Sequence, residues 1–114
     1  MANVERELRR GTLDLVLLKL LSEREMYGYE LIATLEARGG KPFELKEGTL
    51  YPVLYRLEDA GFIVARWETI DRGVPRKYYR LTAQGTQQLV SLLQEWEDFV
   101  AAISRVLNGE NKQA

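Results

Sequence analysis

The hydrophobic positions of this chain recur at helical spacing in four segments and alternate with polar positions in one. Residues 12–22 form the first predicted helix, which is almost entirely apolar and has Thr12 as its N-cap behind Gly11. A helix that is apolar on every side is buried on every side. Residues 28–37 form the second predicted helix, which ends at the pair Gly39 and Gly40, a common termination signal.

Residues 47–82 predict a third helix and, directly after it, a β-hairpin. The helix begins near Gly48 and stops at Gly61. Its inward face carries aliphatic residues at helical spacing: Leu50, Val53, Leu54 and Leu57. Its outward face carries aromatic, basic and other groups: Tyr51, Pro52, Tyr55, Arg56 and Asp59. A helix with such a face beside a hairpin suits the major groove of a DNA duplex.

The hairpin alternates apolar and polar residues over 63–68, turns at 71–73 and returns along residues 78–81. Adjacent strand residues face opposite sides, so at most one of Tyr78 and Tyr79 belongs to the core. Residues 71–80 carry four cations and one anion, whereas the whole chain has a net charge of −1. Because phosphate responds to the local distribution of charge, we expect a basic surface on a mildly acidic body.

A final helix is predicted from Thr82 or Ala83 to Leu107, roughly 25 residues and so about 38 Å long. Apolar residues follow it at alternating spacings of four and three, as in a coiled coil: Leu89, Leu93, Trp96, Val100, Ile103 and Leu107. A domain this small cannot cover so long an apolar face, and a second copy of the chain is the simplest cover. We therefore expect a homodimer joined through these residues. The tail, residues 109–114, is polar and expected to be disordered.

The residues predicted to contact DNA lie on the third helix and the hairpin: Thr49, Tyr51, Tyr55, Arg56, Arg72, Arg76 and Lys77. Those of the helix reach base edges or phosphates, and the hairpin cations contact phosphates or enter the minor groove. Thr49 is expected to cap the third helix, which puts Pro52 in the first turn, where its missing N–H costs nothing. The alternatives are structural: tyrosines that cover the core, Arg56 in a surface ion pair, and solvated charges at the turn.

Trp96 lies in the middle of the final helix, so its indole is expected at or near the dimer interface. One interpretation is a packing anchor. The other is a cavity for a flat aromatic effector, lined by Leu15, Leu18, Trp96 and Phe99, because aromatic-lined concavities between helices are common ligand sites. The sequence does not choose between the two.

The chain has no histidine and no cysteine, which removes the commonest general base, the commonest metal ligand and the thiol nucleophile. Phosphate-loop and dinucleotide-binding glycine motifs are absent from the sequence. We therefore expect neither an enzyme nor a cofactor. The longest apolar run is far shorter than the roughly 20 residues of a membrane span, and no secretory cleavage signal follows the N-terminus. These features predict a cytoplasmic protein that does not associate with membranes.

Three segments together resemble the PadR-like family of bacterial transcriptional regulators: residues 27–31 (YGYEL), 48–58 (GTLYPVLYRLE) and 75–82 (PRKYYRLT). The match extends from about Leu8 to Leu107 in the order and spacing of the family. The resemblance implies a winged helix-turn-helix with a single C-terminal dimerisation helix, as in the short subfamily, acting usually as a repressor. It also implies a mainly structural role for Tyr78 and Tyr79, and some members of the family sense phenolic acids or drugs.

The predicted fold class is mainly α, within α+β. A winged helix-turn-helix with a two-stranded β wing occupies residues 1–81, and a long dimerisation helix occupies residues 82–108. The predicted function is a dimeric DNA-binding regulator, associated with the bacterial nucleoid when bound, that represses by occluding a promoter. A planar aromatic or phenolic effector at the dimer interface would release it. The alternative is a winged-helix interaction or effector-binding module that does not read DNA, which the near-neutral net charge favours.

Overall fold

The computed structural model describes residues 2–70 and 72–109, apart from the side chains of residues 2–10. The elements follow in this order: α1 (Ala2–Glu23), β1 (Met26–Tyr27), α2 (Gly28–Gly39), a short 3-10 helix (Lys41–Phe43), α3 (Glu47–Asp59), β2 (Ile63–Glu68), β3 (Arg76–Leu81) and α4 (Ala83–Leu107). The mainly helical winged fold is confirmed, as are the bounds predicted for α4. Residues 110–114, which make up most of the predicted disordered tail, lie outside the described residues.

The predicted start of the first helix was wrong. The helix α1 begins at Ala2, so Gly11 and Thr12 lie inside it and Thr12 is not its N-cap. The segment 2–10 contains two Glu and three Arg, which favour helix without forming an apolar stripe. A pattern of apolar positions therefore detects only the buried part of this helix.

The sheet has three antiparallel strands in the order β1-β3-β2, one strand more than predicted. In β1, Met26 lies opposite Tyr79 and Tyr27 lies opposite Tyr78. Two residues are too few to show an alternating pattern, which explains why this strand was missed. The strand β3 begins at Arg76, earlier than the predicted Tyr78, and pairs with β2 along its full length.

One hydrophobic core joins all four helices to the sheet. Its buried side chains include Leu17 and Leu18 of α1, Leu31 and Leu35 of α2, Leu50, Leu54 and Leu57 of α3, Ile63 and Tyr79 of the sheet, and Leu89 of α4. The side chain of Tyr79 is fully buried and that of Tyr78 is only half-buried, so a single member of this pair is a core residue, as predicted. The core thus fixes α3 and the hairpin relative to each other.

The junction of α3, the hairpin and α4 is held by local hydrogen bonds. Gly61 has a φ of 84°, a left-handed conformation that glycine adopts without strain, and it ends α3 as predicted. The N–H of Gly61 donates to the Glu58 carbonyl and that of Phe62 to the Leu57 carbonyl, both at 3.0 Å. Thr82 caps α4: its Oγ1 accepts from the Gly85 N–H at 3.0 Å and donates to the Gly61 carbonyl at 2.7 Å. These contacts connect the C-terminus of α3 directly to the N-terminus of α4.

Candidate nucleic-acid interface

The outward face of the helix α3 lies beside the hairpin. The helix begins at Glu47, one residue before the expected Gly48. Lys46 occupies the N-cap position, and its carbonyl accepts from the N–H groups of Thr49 at 2.9 Å and Leu50 at 3.0 Å. Thr49 is therefore an exposed residue of the first turn and not the cap, which corrects the prediction. Pro52 lies inside the helix, where its missing N–H removes one helical hydrogen bond.

The two tyrosines of α3 lie side by side, with ring centroids 6.2 Å apart. Tyr55 is exposed and Tyr51 is half-buried, because the ring of Tyr51 covers Gly28 at the start of α2. A Cβ atom at Gly28 would lie only 2.2 Å from the Tyr51 hydroxyl oxygen. Burial, together with the nearby charge of Glu47, raises the pKa of Tyr51 above its usual value. The glycine therefore sets the position of an aromatic group on the outward face.

Arg56 was predicted to contact DNA, and the structure gives it an intramolecular partner instead. Its two terminal guanidinium nitrogens donate to the two carboxylate oxygens of Asp14 in α1, at distances of 2.7 and 3.0 Å. A bidentate pair of this kind uses the fork geometry that Arg would otherwise offer to a phosphate or a guanine. The hydrogen bond to Asp14 also raises the pKa of Arg56. We therefore remove Arg56 from the DNA-contacting set and assign it to the packing of α3 against α1.

The hairpin, called the wing below and comprising residues 63–81, has two different faces. Cross-strand neighbours on the inner face are Ile63 with Leu81, Ala65 with Tyr79, and Trp67 with Lys77. The first two pairs meet the core, whereas the pair Trp67 and Lys77 extends beyond it towards the outward face of α3. The aliphatic and ammonium parts of Lys77 therefore lie between the wing and α3, and its Nζ donates to Oε1 of Glu58 at 3.4 Å.

The outer face and tip of the wing carry the remaining predicted cations. Arg76 lies opposite Glu68 across the strands, and its guanidinium carbon lies 4.6 Å from the ring centroid of Tyr27. Arg72 is exposed in the turn that follows β2. Neither arginine has a carboxylate within ion-pair distance among the described residues. The charges of Arg72 and Arg76 are thus available to an external anion.

A cleft between α3 and the wing brings together four of the predicted DNA-contacting residues: Tyr51, Tyr55, Arg76 and Lys77. Tyr27 and Trp67 also line this cleft and were not predicted as site residues. Trp67 could have been identified from the pairing of β2 with β3, because that pairing places Trp67 directly opposite Lys77. For Tyr27 no such signal existed, because the strand that positions it was itself missed.

The predicted dimer seam divides into two parts. Leu89 is only 6% exposed and belongs to the core of its own chain, so its assignment to the dimer interface was wrong. The seam residues that follow are exposed large hydrophobic side chains: Leu93, Trp96, Val100, Ile103 and Leu107. The first turns of α4 pack into the core, which explains why the exposed seam begins only after Leu89.

A shallow cavity of about 170 Å³ lies between α1 and α4 beside Trp96. Leu15, Trp96 and Phe99 line it, together with Leu92 and Glu95, as predicted for the first three. Leu18 does not line the cavity, because its side chain is fully buried in the core. An all-apolar helix gives no indication of which leucine faces which neighbour, so the sequence could not separate Leu15 from Leu18.

The described part of the chain gives two negative findings. None of its helices combines the length and apolarity of a membrane span. Its Asp and Glu side chains form no cluster of three or more that would hold a metal ion.

The helices α2 and α3 lie at helix-turn-helix spacing, α3 has an outward aromatic face, and an antiparallel wing lies beside it. This arrangement defines a winged-helix DNA-binding regulator. The sequence pattern of the transcriptional regulator PadR-like family matches residues 17–91. The chain belongs to this family, whose members are transcriptional regulators and not enzymes, and the resemblance noted in the sequence is thereby confirmed.

Individual relatives agree with this assignment. The chain is 31% identical over 109 residues to a transcriptional regulator of Mycobacterium tuberculosis, an alignment that covers 96% of this chain and 95% of that protein. It is 32% identical over 77 residues to the negative transcriptional regulator PadR of Bacillus subtilis, covering 68% of this chain and 42% of that protein. A solved PadR-like transcription factor of Bacteroides fragilis superimposes with a TM-score of 0.79 at 31% identity, covering 91% of this chain and 98% of that one.

Proposed function

We propose that this protein is a homodimeric repressor that occludes a promoter by inserting α3 into the major groove and laying the wing on the flanking backbone. The supporting observation is the cleft at which tyrosines of α3 and cations of the wing converge. Both elements are anchored in one core, so they would approach a duplex as a single rigid surface. A regulator of this kind would act in the bacterial cytoplasm and lie at the nucleoid when bound.

The proposed DNA-contacting residues are the predicted set without Arg56: Thr49, Tyr51, Tyr55, Arg72, Arg76 and Lys77. Thr49 is exposed in the first turn of α3, where backbone N–H groups and the helix dipole favour a phosphate. Arg72 and Arg76 supply charges without an ion-pair partner among the described residues. Lys77 contributes less directly, because Glu58 already accepts a hydrogen bond from it.

The dimer is proposed to form through the exposed apolar stripe of α4, which runs from Leu93 to Leu107. Five apolar side chains of the predicted seam lie there on the surface: Leu93, Trp96, Val100, Ile103 and Leu107. Such a stripe is the usual seam of paired helices, and pairing with a second copy would close it under two-fold symmetry. Residues 1–81 would then act as the DNA-binding part and residues 82–108 as the dimerisation part. The two copies of α3 would meet half-sites about 34 Å apart.

The cavity beside Trp96 is the proposed site for a planar aromatic or phenolic effector. It is walled by α1 on one side and α4 on the other, so a bound ring would press on the helix that sets the dimer geometry. A ligand that binds one dimer geometry better than another shifts the population towards it. If that geometry has the wrong spacing of the two α3 helices, DNA affinity falls and the promoter is released.

A salt titration tests the DNA-binding part. Genomic fragments that the protein captures would supply the operator, and its affinity would then be measured by fluorescence anisotropy at several salt concentrations. Each phosphate contact contributes about 0.9 to the slope of log affinity against log salt. The double substitution of Arg72→Ala and Arg76→Ala should therefore make the slope shallower by about 0.9 for each contact removed. Arg105→Ala removes a charge from the last turn of α4, away from the wing, and should leave the slope unchanged.

Two outcomes would contradict the proposal. Absence of binding to captured DNA at low salt would favour the alternative, a winged-helix interaction module that does not read DNA. An equal slope for the unaltered protein and the Arg72→Ala, Arg76→Ala variant would remove both arginines from the interface.

A further inference from the structure

The outer face of the three-stranded sheet carries a row of arginine and tyrosine side chains. Tyr27 of β1 and Arg66 of β2 both lie opposite Tyr78 of β3, so these three side chains share one face. Arg76 lies two residues before Tyr78 on the same strand and therefore on the same face. The row runs in the order Arg66, Tyr78, Tyr27 and Arg76, and it crosses all three strands.

Each member of this row contacts the next at a distance typical of cation–π or aromatic pairs. The guanidinium carbon of Arg66 lies 4.8 Å from the ring centroid of Tyr78. The ring centroids of Tyr78 and Tyr27 are 5.3 Å apart, with an interplanar angle of 70°. The guanidinium carbon of Arg76 lies 4.6 Å from the ring centroid of Tyr27. The two arginines therefore occupy the two ends of an aromatic pair.

The two arginines differ in what satisfies their charge. Arg66 donates hydrogen bonds to the carboxylates of Glu25 and Glu68. Arg76 is exposed and has no carboxylate within ion-pair distance among the described residues. A hydrogen bond with the Tyr78 side chain raises the pKa of Arg76. One end of the row is thus neutralised, whereas the charge at the other end faces solvent.

The ring beside Arg76 would restrict its side chain without using up its hydrogen-bonding capacity. An arginine side chain has many rotamers, and ordering it on binding lowers affinity. Contact with a ring leaves most of the N–H donors of a guanidinium free, whereas a carboxylate would occupy two of them in a bidentate pair. An Arg76 side chain that is already ordered would therefore bind a phosphate at a smaller entropic cost.

The position of Tyr27 is fixed by the helix-turn-helix. Its neighbours in sequence, Met26 and Gly28, are both buried. The backbone N–H of Tyr27 donates to Oε1 of Glu30 at 3.1 Å, which satisfies a backbone donor at the start of α2. Tyr27 therefore connects Arg76 of the wing to the helical part of the domain.

We propose that Tyr27 is a positioning residue that holds the Arg76 guanidinium ready to bind a backbone phosphate of DNA. This use of Arg76 rests on the proposed function, in which the wing lies on the DNA backbone, whereas the restriction of Arg76 in the free protein does not. Tyr27 acts through Arg76 and need not touch DNA. Arg66 has no such part, because Glu25 and Glu68 neutralise it.

The order of Arg76 in the free protein is measured by NMR relaxation of its side-chain Nε–H group, which Arg76→Ala identifies by the loss of its signal. We expect an ordered group in the unaltered protein and in Tyr27→Phe, which keeps the ring. Tyr27→Leu, which removes the ring, should make it mobile. A mobile group in the unaltered protein would overturn the proposal without any DNA measurement, and this result remains decisive if Tyr27→Leu unfolds.

Affinity for operator DNA then shows whether this order is used. Tyr27→Leu should weaken binding about two- to tenfold for each wing and leave the salt slope unchanged, because Arg76 still reaches the phosphate but must first be ordered. Arg76→Ala should weaken binding and make the slope shallower by about 0.9 for each contact removed. Arg66→Ala is the matched control, since it removes a charge from the same face of the sheet, and it should leave the slope unchanged.

A double-mutant cycle separates positioning from a structural role. In the Arg76→Ala background, Tyr27→Leu should cause no further loss of DNA affinity, because Tyr27 acts only through Arg76. Equal losses from Tyr27→Leu with and without Arg76 would overturn the positioning role and leave the DNA contact of the wing intact. Tyr27→Phe that binds as weakly as Tyr27→Leu would also overturn it, since the ring alone should suffice. Unchanged affinity and slope in Arg76→Ala would contradict the proposed DNA contact and, with it, the role of Tyr27.

Discussion

The ion pair between Arg56 and Asp14 predicts that Arg56→Ala weakens folding and leaves DNA binding intact. The pair joins α3 to α1 through two hydrogen bonds of 2.7 and 3.0 Å, and the bond to Asp14 raises the pKa of Arg56. Without Arg56 the Asp14 carboxylate, whose side chain is only 16% exposed, loses both donors. Loss of DNA affinity would be the expected result only if Arg56 had remained free on the outward face.

The size of the effect follows from the partial burial of the pair. Exposed ion pairs contribute about 0–1 kcal/mol, whereas breaking a buried pair costs about 3–5 kcal/mol. The Arg56 side chain is 38% exposed, so solvent screens one side of the interaction, and Asp14 is mostly buried. We therefore expect Arg56→Ala to lower the free energy of unfolding by about 1–2 kcal/mol, between those two limits.

Urea unfolding of the Asp14→Ala, Arg56→Ala and double variants would measure the coupling between the two side chains as a double-mutant cycle. Anisotropy titrations of the Arg56→Ala variant with operator DNA, at temperatures and urea concentrations where it is folded, would measure affinity and salt slope. Arg105→Ala serves as the control for removal of a single positive charge. If Arg56→Ala kept its stability but bound DNA more weakly and with a shallower salt slope, Arg56 would be a DNA contact and its removal from the set would be wrong.

Three further predictions concern α4 and the core. Gly85→Ala should destabilise by about 1–3 kcal/mol in thermal or urea unfolding, since its Cβ would lie 2.0 Å from the Phe62 carbonyl oxygen. Gly48→Ala is the control: its Cβ would meet open space, so it should stabilise by up to about 1 kcal/mol. Equal effects of the two substitutions would refute this packing. Trp96→Glu should convert a dimer to monomers in sedimentation equilibrium, and a variant that stays dimeric would exclude Trp96 from the interface. Tyr79→Phe should not destabilise at neutral pH, because it removes a buried hydroxyl that has no hydrogen-bond partner among the described residues. It should also reduce the loss of stability above about pH 10, because burial raises the pKa of the native tyrosine above 10.0 and the unfolded tyrosine ionises first. A clear destabilisation at pH 7 would show that this hydroxyl has a partner.

Elements whose pattern lies within one stretch of chain could be predicted from the sequence. The apolar spacing of α3 and the alternation of β2 each require only local periodicity, and their positions were right to within a residue or two. The end of α3 was equally local, because Gly61 is the residue that most easily adopts the left-handed conformation there. The outward position of Tyr55 followed from the same spacing.

Side-chain partners could not be predicted, because they depend on contacts between distant parts of the chain. Arg56 and Asp14 are separated by 42 positions, and nothing in either local sequence indicates the other. Leu89 fits the coiled-coil spacing as well as Leu93 does, yet the core covers the first and leaves the second 37% exposed. Periodicity identifies an apolar face, but only the packing of the other helices shows how much of that face is already covered.

The division of α4 between the core and the surface explains how the proposed ligand beside Trp96 could act on DNA binding. Its first turns are buried in the core and its last turns are exposed, from 6% at Leu89 to 78% at Leu107. Thr82 links its N-terminus to the end of α3 through the Gly61 carbonyl at 2.7 Å, so the angle between α4 and the body sets where α3 lies in the proposed dimer. A ligand beside Trp96 would change that angle, and its effect on DNA affinity would depend on the spacing of the half-sites. Operators with altered spacing therefore test this mode of release, because a compensating change in spacing should restore the DNA affinity that the ligand lowers.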